Sequence, residues 1–129
     1  MEKLTLLYID DEPINLMLME TMFRKKYNVL TGKSGFEGLE LLDRHQEIKV
    51  VISDMRMPGM NGLEFIRKAK ANYPNIIFFI LTGYEITSEI ELSLKNGMID
   101  RYFQKPFQMA EIESAINVML NNRVKEISE

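Results

Sequence analysis

Hydrophobic residues in this chain fall into short solid runs separated by stretches of helical period. Leu4 to Ile9 (LTLLYI) is apolar almost throughout and stops at Asp10-Asp11-Glu12-Pro13. Ile76 to Leu81 (IIFFIL) is the most apolar run, and Lys49 to Ser53 carries Val50-Val51-Ile52. Shorter runs at Asn28 to Thr31 and Ile99 to Gln104 complete five predicted strands. Runs of this kind, without period-2 alternation, belong to a parallel sheet covered on both faces.

Pro13 suits the first turn of a helix, where its missing N–H is no loss. Ile14, Met17, Leu18 and Met22 mark a helix from Ile14 to about Lys25. Leu16, Met19 and Phe23 add a second apolar row beside them, and a wide stripe is what a helix wedged between neighbours needs. Exposed members of that second row would form a patch for a partner. Ser34 reads as the cap of a helix through about His45 that carries Phe36, Leu39, Leu41 and Leu42. After Asn61 a third helix bears Leu63, Phe65 and Ile66 and ends at Tyr73-Pro74. A weaker helix from Glu85 to about Lys95 is stopped by Asn96-Gly97. Beyond Pro106 a last helix shows Ile112, Ile116, Met119 and Leu120 on one face. Five strands alternating with five helices predict a doubly wound α/β fold with right-handed crossovers. In such open sheets the ligand site lies beyond the carboxyl ends of the strands.

That rule makes the residues ending each run informative. Asp10, Asp11 and Glu12 follow the first strand, Asp54 the third, Thr82 the fourth and Lys105 the fifth. One acid after a strand is often no more than a partner for a helix N-terminus. Two acids facing a third repel strongly unless a cation neutralises them. All-oxygen ligation suits Mg²⁺, which keeps several waters and leaves room for a phosphate oxygen. Lys105 supplies a counter-ion and Thr82 a hydroxyl donor for a charged, oxygen-rich group.

Four stretches in register, YIDDEP, VVISDMRMPGMNG, ILTG and YFQKPF, resemble the receiver domain of two-component response regulators over residues 4 to 124. The resemblance implies a flavodoxin-like (βα)5 sheet of order 2-1-3-4-5. It makes Asp54 the phosphoacceptor, modified by the phosphohistidine of a sensor histidine kinase or histidine phosphotransfer protein. Mg²⁺ would be held by Asp11 and Asp54 directly, by Asp10 partly through water, and by the backbone carbonyl of Arg56. Thr82 would contact the phosphoryl group, Lys105 would be its ionic partner, and Tyr102 would change rotamer on activation. A cis peptide bond between Lys105 and Pro106 is implied as well. Such a domain catalyses only its own phosphorylation and dephosphorylation. It then switches the surface of the fourth helix, fifth strand and fifth helix toward a downstream output protein or an attached output domain. Beyond the shared pattern, the Arg56 guanidinium is expected to lie free beside the acceptor, and Tyr84 to shield the acyl phosphate from water. Gly83 between Thr82 and Tyr84 leaves room for the phosphoryl group.

Composition narrows the remaining choices. At 129 residues one domain spanning residues 1–129 is expected. No cysteine is present, so no disulfide or thiolate chemistry enters, and a cytoplasmic setting fits. The formal charge of −3 gives no electrostatic footprint for direct nucleic-acid binding. No apolar stretch reaches membrane-span length, and Met1-Glu2-Lys3 leads straight into the first strand, unlike an anchor or signal peptide. Met17, Met22 and Met119 fall on helical apolar positions and are expected in the core, whereas Met57 and Met60 would partly cover Asp54. His45 is expected at the surface. After about Leu120 only NNRVKEISE remains, in which Val124 and Ile127 would lengthen the last helix. The chain thus reads as a stand-alone receiver or the front of a longer regulator, with Met1 suggesting that nothing precedes it. A flavin or nucleotide module on this fold would seat phosphate on a Gly/Ser/Thr-rich first loop, which Asp10-Asp11-Glu12 replaces. The common aspartyl phosphatases carry Asp-x-Asp on the first strand, a spacing absent here. The alternative that survives is a receiver-like interaction module that is not phosphorylated.

Overall fold

The structure is a computed structural model that describes residues 3–128 of the chain, with side chains described for residues 3–123. Five strands, β1 (Leu4–Ile9), β2 (Tyr27–Gly32), β3 (Ile48–Asp54), β4 (Ile77–Thr82) and β5 (Arg101–Gln104), alternate with five helices. The helices are α1 (Pro13–Phe23), α2 (Gly35–Arg44), α3 (Gly62–Asn72), α4 (Ser88–Lys95) and α5 (Met109–Ser128). All strand pairs are parallel and the order is β2-β1-β3-β4-β5, as the expected flavodoxin-like fold requires.

The strand pleat sorts neighbouring residues to opposite faces. Leu7, Ile9, Val51, Phe78 and Ile80 pack toward α2, α3 and α4, with Leu42, Phe65, Ile66 and Ile90. Leu6, Tyr8, Val50, Ile52 and Phe79 pack the other way, against Leu16, Met19 and Phe23 of α1 and Ile112 and Ile116 of α5. The sheet therefore separates two apolar layers.

Local chemistry sets the helix starts. Ser34 accepts from the Glu37 N–H, and Asn61 and Glu64 form a reciprocal capping box at the head of α3. Thr87 accepts from the Ile90 N–H and starts α4 there, three residues later than the apolar pattern places it. The fifth strand likewise begins at Arg101 and not at Ile99, whose side chain is nevertheless buried. β3 and β4 run one residue further than expected, so Asp54 and Thr82 are the last residues of their strands. The last helix does continue through positions 124 to 128.

The orientation of α1 corrects the sequence expectation. Leu16, Met19 and Phe23 face the sheet, while Ile14, Met17 and Leu18 are exposed and Met22 lies at the margin. Both rows are apolar, so periodicity could not choose between them. Phe23 decides, buried completely and stacked at a tilt on Tyr27 with ring centroids 5.7 Å apart. Met17 and Met22 are thus not core residues, and Met119 is only partly buried. On α2 it is Leu42 with Gly35 and Gly38 that faces inward, and Phe36 points out. The glycines let Phe65 approach: a Cβ on Gly38 would lie 2.8 Å from its Cε1. Met57 and Met60 of the loop after Asp54 are buried in the α2–α4 layer. His45 is partly exposed and lies 3.4 Å from the Glu47 carboxylate.

These placements predict opposite results from two truncations in one helix. Phe23→Ala should cost about 3–5 kcal/mol of stability, whereas Met17→Ala should change it by less than about 0.5 kcal/mol. Urea unfolding of both variants checks the orientation of α1.

Candidate functional site

Parallel strands bring their carboxyl ends to one edge, and β1 and β3, paired from Thr5 to Ile9, place their terminal acids side by side. One carboxylate oxygen from each of Asp10, Asp11 and Asp54 lies within 4.8 Å of the others. Asp10 is fully buried, Asp54 nearly so, and Asp11 half-buried. This set has the right chemistry for a hard divalent cation: three oxygens, clustered, with no nitrogen or sulfur donor among them. Mg²⁺ fits these residues.

Lys105 enters from the end of β5. Its Nζ lies 2.8 Å from Asp54 Oδ1 and 3.7 Å from Asp10 Oδ2, so the ammonium sits between the two buried acids but bonds to Asp54. The Lys105–Pro106 peptide bond is cis, as expected. Burial raises the Asp54 carboxyl above its usual range; Lys105 pulls it back down, and the charges of Asp10 and Asp11 add to the rise.

Asp10 has its own set of donors, which the sequence analysis did not foresee. Its Oδ1 accepts from the Glu12 N–H at 2.9 Å. Its Oδ2 accepts from the Tyr8 hydroxyl at 2.5 Å and from Asn15 Nδ2 at 3.1 Å. Burial, and then the bond to Asp10, pushes the Tyr8 phenol up, so it stays a protonated donor. The parity of β1 was the available signal, because residues two apart in a strand share a face.

The loop after β3 is pinned at both ends. The Met55 N–H donates to the Leu81 carbonyl, and the Gly62 N–H donates to the Met55 carbonyl, which folds residues 55 to 61 back over the strand end. Gly62 is the tightest point. A Cβ there would lie 2.4 Å from the Asp54 carbonyl oxygen and 2.8 Å from Ile80 Cδ1. Arg56, whose carbonyl was the expected metal ligand, lies in this loop. Its guanidinium is not free: Cζ stands 3.8 Å from the centroid of the exposed Tyr84 ring. The stack borders a cleft of 510 Å³ lined also by Met55, Asn61 and Thr82.

Thr82 is buried, and its hydroxyl accepts from the Tyr84 N–H at 3.2 Å. Its carbonyl accepts from the Lys105 N–H at 2.8 Å, which ties the two strand ends together. Gly83 does leave space, since a Cβ there would meet only Lys105 Cδ, at 3.8 Å. Tyr102 sits further back on β5, half-buried against the α2–α4 layer.

A doubly wound domain with three clustered acids and a lysine at the strand ends of its sheet has close counterparts among known proteins. The chain belongs to the response regulator receiver domain family, whose model matches residues 6–117. It is 32% identical over 119 residues to chemotaxis protein CheY1 of Helicobacter pylori strain J99, covering 89% of this chain and 95% of that protein. It is 31% identical over 103 residues to the hydrogenase transcriptional regulatory protein HoxA of Cupriavidus necator, covering 80% of this chain but only 21% of HoxA. The crystal structure of a response regulator receiver domain protein from Clostridium thermocellum superposes with a TM-score of 0.85 at 32% identity, covering 92% of this chain and 95% of that one. Among the described residues no helix is long and apolar enough to cross a membrane.

Gly62→Ala tests how tightly the acceptor loop is built. The added methyl meets backbone, so the loop or β3 must shift, at a cost of about 1–3 kcal/mol. A lowered urea midpoint at unchanged slope is the expected result.

Proposed function

We propose that this chain is a single receiver domain that accepts a phosphoryl group on Asp54 from the phosphohistidine of a sensor histidine kinase or histidine phosphotransfer protein. The observation that carries this is the convergence of Asp10, Asp11 and Asp54 with the Lys105 ammonium on Asp54. An Asp54 carboxylate oxygen attacks phosphorus, the P–N bond to the donor imidazole breaks, and the nitrogen keeps the electron pair and takes a proton. Asp11, Asp54 and the Arg56 carbonyl would hold Mg²⁺ directly and Asp10 partly through water, and the bound ion would supply charge neutralisation for the transferring oxygens. The buried end of β3 keeps the acceptor oxygen in place, and Lys105 moves its contact from the carboxylate to the phosphoryl group. Thr82 donates its hydroxyl to a phosphoryl oxygen. Water attack on the acyl phosphate resets the domain.

The output follows from the same contacts. Drawing Thr82 inward frees space beside β5 that Tyr102 fills, so the surface of α4, β5 and α5 shifts between two populations. A downstream protein or an attached output domain reads that surface. On α1, the exposed Ile14, Met17 and Leu18 are suited to receive the phosphohistidine partner.

Treating the protein with Mg²⁺ and a small acyl-phosphate donor should give one phosphoryl adduct by intact mass, and Asp54→Asn should abolish it. Leu18→Asp should slow transfer from a phosphohistidine protein while leaving labelling by the small donor intact. Wild-type protein unmodified under saturating donor would refute the proposal in favour of a pure interaction module.

The Arg56–Tyr84 stack bears on lifetime. Two planar groups in contact at the mouth of the cleft restrict the approach of water along the line of the acyl phosphate bond. An Arg56→Asn/Tyr84→Ser variant should therefore lose phosphate faster by about tenfold, the change that about 1.4 kcal/mol of barrier produces. Timed intact-mass measurements decide it, and equal or slower loss in the variant removes the shielding role.

A further inference from the structure

We propose that Tyr8 is a positioning residue that, together with Asn15, holds Asp10 as an outer ligand of the metal site and leaves the Lys105 ammonium to Asp54. The inference rests on the phosphoacceptor function proposed above and concerns residues that function does not otherwise use.

Tyr8 is almost completely buried in the layer between the sheet and helices α1 and α5. Its ring is core, but its hydroxyl reaches the strand end and donates to Asp10 Oδ2. Asn15, in the first turn of α1, donates to the same oxygen at 3.1 Å. With the Glu12 N–H on Oδ1, each oxygen of this fully buried carboxylate has a hydrogen-bond donor within the protein. Buried carboxylates need such donors, because an unsatisfied charged oxygen in a dry site is costly.

The consequence falls on Lys105. Its ammonium stands within reach of both buried acids, 2.8 Å from Asp54 and 3.7 Å from Asp10. Asp10 Oδ2 already has two donors, and Asp54 Oδ1 has Lys105 itself. The ammonium therefore settles on Asp54, the group that is to be phosphorylated. Removing the Tyr8 hydroxyl leaves Asp10 Oδ2 one donor short, and Lys105 is the nearest cation that can supply the deficit.

That shift acts on the metal through Asp54, the acid the ammonium leaves. Mg²⁺ and the ammonium compete for the Asp54 carboxylate, so withdrawing Lys105 favours the metal. Tyr8→Phe keeps the ring and loses only the hydroxyl, so it should bind Mg²⁺ more tightly, by about tenfold, the scale on which outer-shell changes tune metal sites. Labelling by a small acyl-phosphate donor at saturating Mg²⁺ should nonetheless slow, because Lys105 no longer waits at the acceptor. A phenol that had merely found a partner for itself would show the reverse pattern: a lower melting temperature with Mg²⁺ affinity unchanged or reduced.

The experiment is Mg²⁺ titration calorimetry on the full chain, with melting temperatures, for wild type, Tyr8→Phe, Lys105→Met and the double variant. Tighter binding in Tyr8→Phe that shrinks in the Lys105→Met background supports the proposal, since the cycle isolates coupling between the two residues. Unchanged or weaker binding in Tyr8→Phe, or an equal gain in both backgrounds, overturns it. Wild-type protein that binds Mg²⁺ and takes up phosphate while Tyr8→Phe shows no gain defeats this inference alone. Wild-type protein that does neither defeats the phosphoacceptor function, and this inference falls with it.

Discussion

The energetic constraint on this domain is the placement of two buried carboxylates at one strand edge with a single ammonium between them. Asp10 and Asp54 repel each other, and neither can turn to solvent, because each ends or follows a strand locked into the parallel ladder. The chain meets that repulsion with fixed dipoles at Asp10 and with a mobile charge at Asp54. Much of the rest serves this asymmetry. The glycine at the head of α3 lets the loop close over the end of β3, and the hydrogen bond from the Lys105 N–H to the Thr82 carbonyl anchors the lysine at the strand end.

The same constraint explains why the site invites a divalent cation. Three oxygens close together and one ammonium leave negative charge uncompensated. A bound cation would relieve it, and an incoming phosphoryl group would find charge of the right sign already gathered. Little has to move for such chemistry, which is why this fold places the residues at strand ends and not on long loops.

What could be read from the sequence divides along physical lines. Strand and helix order were legible because solid apolar runs and period-3.6 stretches differ strongly. The site was legible because strand-end position alone brings Asp10, Asp11, Asp54, Thr82 and Lys105 to one edge. The inner face of α1 was not legible, since Leu16, Met19 and Phe23 compete with Ile14, Met17 and Leu18 at nearly equal hydrophobicity. The start of α4 was missed because a threonine hydroxyl, not an apolar residue, sets it. Arg56 and Tyr84 were each noted, but their stacking joins two loops 28 positions apart and follows only from the folded chain. Tyr8 was hidden by its own apolar ring, which fits the strand pattern and conceals the use of its oxygen.

The separation of the core into two layers by the sheet has a further meaning. Tyr8 belongs to the layer shared with α1 and α5, and Tyr102 to the layer shared with α2, α3 and α4. On the function proposed above, the first layer would hold the acids and the second would carry the residue that answers to their state. Separate layers let the packing around Tyr102 change while the hydrogen bonds at Asp10 stay in place. A protein built this way can acquire a new listener without relearning how to hear.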